Sequence, residues 1–157
     1  MVGEPGITAV GAEHANLFTV ALDEGARVGV LEQVQLGRFE ESPGRWSSRT
    51  RIERAGRVVF DSSLDAGTGA AGWESAAVLD GAPSVAALVV VDPDGLAARP
   101  VAQWREEDGT RAAVTFGASG DAAQVCAWGR DLAACRRLIA GRAGDHGVPG
   151  WCPGPGG

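Results

Sequence analysis

The chain has 157 residues, a net charge of −6, 24 glycines and no tyrosine, and all 14 of its cationic side chains are arginine. Without lysine there is no Schiff-base amine, no P-loop lysine and no lysine general base. The acidic balance argues against binding nucleic acid or an anionic membrane, since both require a basic face.

The length fits one domain. Residues 1–15 read as an N-terminal extension, 16–140 as a single folded domain, and 141–157 as a flexible tail rich in glycine and proline. The longest apolar run, residues 85–91, is far shorter than the roughly 20 residues of a helical membrane span. No basic and apolar leader opens the chain, so a cytoplasmic location is expected. Cys126, Cys135 and Cys152 follow no C-x-x-C spacing and read as unpaired thiols. The Ala, Gly and Arg bias fits a GC-rich bacterial genome, and no motif ties the chain to a characterised family.

Period-two alternation dominates the first half. Phe18, Val20 and Leu22 form one face of a strand, the chain turns at Asp23-Glu24-Gly25, and Val28, Val30, Val34 and Leu36 resume the pattern. A three-residue loop sets Val20 opposite Val28 and Phe18 opposite Val30. A longer loop over 37–45 leads to Trp46. It places Leu36 opposite Trp46, Val34 opposite Ser48, Glu32 opposite Thr50 and Val30 opposite Ile52. A turn at 55–57 then brings Val58 opposite Arg54 and Phe60 opposite Ile52.

Residues 64–83 read as a loop with a short helix over 73–79. Residues 85–91 are apolar on both faces, so a central covered strand is expected. Asp92-Pro93-Asp94-Gly95 has turn chemistry. Residues 101–106 and 111–116 form a hairpin, with Trp104 opposite Val114 through a three-residue loop, or opposite Ala113 through a two-residue one. A helix over 121–140 follows from the stripe Val125, Trp128, Leu132, Cys135 and Ile139, with Asp121 as N-cap and Gly141 just past the end. A strand over 124–128 before a shorter helix is the competing reading. The expected fold is α+β: a curved antiparallel meander of about seven strands with a C-terminal helix. A β-sandwich with a peripheral helix is the alternative.

Residues 67–72 spell G-x-G-x-x-G, with Asp92 20 residues beyond Gly72. A glycine-rich chain yields roughly half such a match by chance, and the strand before it ends too early for a dinucleotide turn. Asp92-x-Asp94-Gly95 lacks the remaining ligands of a calcium loop. His14 and His146 lie near opposite ends, so neither a metal set nor a catalytic dyad follows. No cofactor and no metal are expected. Trp151 and Cys152 in the tail offer at most a docking point.

Two features remain. Arg49 and Arg51 share one strand face and are candidates for binding a protein partner. Glu32 points inward among valines, with Ser48, Thr50, Trp46 and Arg54 on the facing strand. A buried carboxylate needs partners. This group is therefore either a satisfied polar cluster or the floor of a small-molecule site formed by Glu32, Trp46, Ser48, Thr50 and Arg54. The function expected is a non-catalytic domain that binds a partner protein or a small molecule. The alternative is a small cofactor-independent enzyme (a cyclase, isomerase or hydrolase) using Glu32 as general acid or base beside Thr50.

Overall fold

The computed structural model describes residues 1–96, 102–117 and 119–145. Among them are nine strands and one helix: β1 (Gly6–Thr8), β2 (Glu13–Leu22), β3 (Val28–Leu36), β4 (Arg45–Arg54), β5 (Arg57–Gly67), β6 (Ser84–Val91), β7 (Ala102–Arg105), β8 (Arg111–Phe116), β9 (Ala122–Gly129) and α1 (Leu132–Asp145). The fold is α+β with a C-terminal helix. The strands divide between a six-stranded sheet, ordered β1-β3-β6-β9-β8-β7, and a three-stranded sheet, ordered β2-β4-β5.

Alternation explains the layering. On β6, Val85, Val89 and Val91 face the smaller sheet, while Ala86, Leu88 and Val90 face α1. The helix covers that second face with Cys135, Leu138 and Ile139, which meet Leu31, Val114, Val125 and Ala127. The smaller sheet covers the first with Trp46, Ile52, Val59 and Ala66. Ile52 is fully buried, worth about 1.5–3 kcal/mol relative to exposure. The two sheets thus stack face to face, with the helix outside the larger one.

The central position expected for residues 85–91 holds, but the first two hairpins do not form. β2 pairs with β4 in parallel, Val20 lying opposite Ile52 and Phe18 opposite Thr50. β3, which separates them in sequence, crosses to the other sheet and pairs with β1 and β6. Burial accounts for the split. β3 is covered on both faces, whereas Glu13, Ala15, Leu17, Thr19 and Ala21 of β2 are exposed. A strand apolar on both faces belongs in the covered sheet, and a one-sided strand belongs in the outer one. The sheets are consequently mixed rather than wholly antiparallel. Residues 1–15 supply β1 and the start of β2.

The third hairpin forms with Phe60 opposite Ile52, as expected. A bulge between Ile52 and Glu53 then shifts the register, so Arg54 lies opposite Arg57 and not Val58. Residues 73–79 make successive turns instead of a helix, with Leu79 buried against Trp46 and Val85. Trp104 lies opposite Ala112, one residue from the shorter-loop expectation and two from the longer. The competing reading of the last segment is the observed one: β9 precedes a helix that begins at Leu132. Its N-cap is Asp131, whose carboxylate accepts from the Ala133 N–H at 2.7 Å. The helix runs through Gly141 to Asp145. His146, Trp151, Cys152 and the rest of the expected tail after Asp145 lie outside the described residues.

One junction ties the N-terminal strands together. The Gly44 N–H donates to Thr8 O at 3.1 Å, and its carbonyl accepts from Thr68 N at 3.2 Å. A Cβ on Gly67 would lie 1.9 Å from Gly44 O, and Gly67 has φ +85. Gly67→Ala is expected to cost more than about 2 kcal/mol in urea denaturation, through steric overlap added to backbone strain. Gly56→Ala, at φ +75 with no atom within 4 Å, should cost only about 1 kcal/mol.

Candidate functional site

Glu32 lies between the two sheets, as its inward alternation implies, but its partners reach it across the sandwich and not along a ladder. Ser48 Oγ donates to Glu32 Oε2 at 2.5 Å, and Asn16 Nδ2 donates to Oε1 at 2.6 Å. Asn16 and Ser48 stand directly opposite each other in the β2–β4 pair, so one ladder rung presents two donors to one carboxylate. His14 Nε2 donates in turn to Asn16 Oδ1 at 2.7 Å. Each carboxylate oxygen therefore has a hydrogen-bond donor.

Beside this cluster is a cavity of about 40 Å³, lined by Glu32, Trp46, Ser48, Thr50, Gln124 and Cys126 among others. Space of that size suits a few ordered waters. Organic ligands occupy clefts of roughly 300–1,000 Å³. Burial, then the charge of Glu32, pushes the Cys126 thiol up to about 12, so it stays protonated and unreactive at neutral pH.

Four of the five residues expected around one ligand come together here: Glu32, Trp46, Ser48 and Thr50. Arg54 does not line the cavity. It forms an ion pair with Asp121, and both side chains are about nine-tenths buried. Ser119 donates to the same carboxylate, and Arg57 approaches it at 3.8 Å. Asp121 thus anchors β9 to the smaller sheet, where a helix cap was expected. Sequence reasoning missed Asn16, although it continues the inward face of Phe18 and Val20. Gln124 and Cys126 were obscured by the helical reading of residues 121–140.

Arg49 and Arg51 lie on the outer face of the smaller sheet, as expected. Their charges are already met there. Arg49 binds both oxygens of Asp61, at 2.9 and 2.8 Å, and Arg51 bridges Asp61 and Glu53. Leu17, 71% exposed, sits opposite Arg49 in the ladder. The face is a mixed one: a neutralised ion network edged by an exposed aliphatic side chain. No group of three or more His, Cys, Asp or Glu placed to hold a metal ion occurs among the described residues.

With this geometry in place, similarity to known proteins becomes informative. Residues 2–143 match the family described as UreD urease accessory protein. The chain belongs to that family. This corrects the expectation that it stands apart from characterised families. The urease accessory protein UreD of Streptomyces coelicolor is 40% identical over 136 residues, which are 86% of this chain and 52% of that protein. UreD of Streptomyces avermitilis is 42% identical over 89 residues, 56% of this chain and 35% of that protein. Urease accessory protein UreD 2 of Saccharopolyspora erythraea is 33% identical over 90 residues, 57% of this chain and 32% of that protein. This UreD-family chain thus spans about half the length of the Streptomyces coelicolor relative and about a third of the other two.

Two predictions concern these clusters. Glu32→Gln replaces a charged, acceptor-only group with an amide that can still accept from Asn16 but must donate to Ser48, so both bonds lose their charge assistance. It is expected to destabilise the fold by about 1–3 kcal/mol in chemical denaturation. The second concerns acid. The hydrogen bond from Arg49, then that from Arg51, holds Asp61 at about 2, below its ordinary 3.8. A carboxyl lowered on folding adds stability above its unfolded value and loses it as pH falls towards its folded value. Stability should therefore decline between about pH 4 and 2, and Asp61→Asn should flatten that part of the acid-unfolding curve.

Proposed function

We propose that this chain is a non-catalytic interaction module in urease maturation, acting in the cytoplasm by holding protein partners. The observation that carries this reading is the family match over residues 2–143. The names of the similar proteins supply the process, since each is a urease accessory protein. The geometry of Glu32 supports a structural part for that residue. A general acid or base must be open to its substrate, whereas both oxygens of Glu32 are engaged beside a cavity of water size.

The outer face of β2, β4 and β5 is the partner surface in this reading. Arg49 and Arg51 present planar, preoriented guanidinium groups, and Leu17 adds an apolar contact beside them. A partner carboxylate can share those guanidiniums with Asp61 and Glu53, which favours specificity and rate of association over raw affinity.

The test is co-purification of the tagged full chain with urease subunits and the other urease accessory proteins expressed from the same genome. Wild type is expected to retain at least one of them. Arg49→Gln with Arg51→Gln should reduce recovery by about tenfold or more, with the fold retained and the melting temperature lowered only by the loss of the exposed pairs to Asp61 and Glu53. Undiminished recovery by the double variant removes this face from the proposal. Failure of wild type to retain any of these proteins overturns the accessory role itself.

A further inference from the structure

A second polar site borders the larger sheet where β7, β8 and β9 run side by side. In register, Arg105 of β7 lies opposite Arg111 of β8, and Arg111 lies opposite Trp128 of β9. Directly opposed residues share a sheet face, with Cβ atoms about 4.5–5.5 Å apart, and like charges so placed repel. Arg130 follows β9 at the same end, and the turn around Asp80 closes over the row. Together these residues border an open cavity of about 360 Å³.

The charges here are incompletely answered. Asp80 pairs with Arg111 at 2.6 Å. Asp108 also borders the cavity; one of its oxygens accepts from the Thr110 N–H at 2.8 Å, a bond that holds it below the usual carboxylate range, so it is ionised and sets a second negative charge against the three arginines. Neither Arg105 nor Arg130 has an ion-pair partner among the described residues. The buried indole N–H of Trp128 has no acceptor among them either. A buried donor without an acceptor costs about 1–3 kcal/mol.

We infer that this row is an oxyanion-binding site, with Arg105, Arg111 and Arg130 supplying charge and Trp128 forming part of the wall beside them. A carboxylate or phosphate group relieves the Arg105–Arg111 repulsion and accepts from guanidinium forks suited to two parallel hydrogen bonds. Asp80 competes with that anion for Arg111, and the Asp108 carboxylate repels it. This makes the site weaker than its three arginines alone would give.

The indole of Trp128 provides a local readout. The ¹⁵N-labelled full chain is titrated separately with inorganic phosphate and with succinate, at ionic strength held constant by NaCl, and the indole resonance is assigned by its absence in Trp128→Phe. A saturable shift of that resonance is expected with at least one anion. Tighter binding of phosphate identifies a phosphate group as the ligand, and tighter binding of succinate a carboxylate. Arg105→Gln with Arg130→Gln should weaken binding by about tenfold or more, with the remaining amide spectrum preserved because both side chains are exposed. Asp80→Asn should tighten it severalfold by releasing Arg111. Asn tolerates the positive φ of 54 found at that position. Lack of a saturable shift with either anion, or equal affinity in the double arginine variant, overturns the site.

Discussion

β6 presents apolar side chains to both of its faces, and a strand of that kind is stable only when it is covered twice. The rest of the architecture meets this requirement. The smaller sheet lies over Val85, Val89 and Val91, and α1 lies over Ala86, Leu88 and Val90. β3 and β9 flank β6 and share the same double burial. Polar groups drawn into the sandwich by this stacking must find partners there. Glu32 does so through Asn16 and Ser48, and Arg54 does so through Asp121. Both polar ties span the gap between the sheets, so each helps to fix how one sheet is seated on the other.

What the sequence revealed follows from the same physics. Alternation identified the inward faces of β2, β3 and β4 because burial selects side chains in every second position whatever lies opposite. It therefore placed Glu32 near Ser48 and Thr50. It could not distinguish a neighbour along a ladder from a neighbour across a sandwich, since both put apolar groups face to face. That ambiguity produced two hairpins that do not exist. The β4–β5 hairpin was legible because its strands are joined by a tight turn, and only the bulge after Ile52 escaped notice.

The C-terminal error had a different cause. Val125, Trp128, Leu132 and Cys135 fit a helical stripe, yet the first two belong to a strand and the last two to a helix. Val125 packs towards α1 and Trp128 towards the smaller sheet, so the apparent stripe combines opposite sheet faces. Asp121 and Asp131 both had capping chemistry, but only Asp131 stands before a helix. The arginine-only composition was informative chiefly by exclusion. In the folded chain its guanidiniums meet three different fates: neutralised on the outer face at Arg49 and Arg51, buried at Arg54, and lacking an ion-pair partner among the described residues at Arg105 and Arg130.

The parallel pairing of β2 with β4 also bears on how the chain folds. Neither β2 nor β3 pairs with a strand adjacent to it in sequence, since β3 joins β1 and β6 while β2 joins β4. A hairpin closes a short loop and gains its contacts at once. Here, longer loops must close before any ladder bond repays the lost chain entropy. Contacts of such wide sequence separation slow the search for the native state. Such contacts favour slow folding for a domain of this length, and newly made chains keep β2 and the β6-facing edge of β3 unpaired until β4 and β6 have been synthesised.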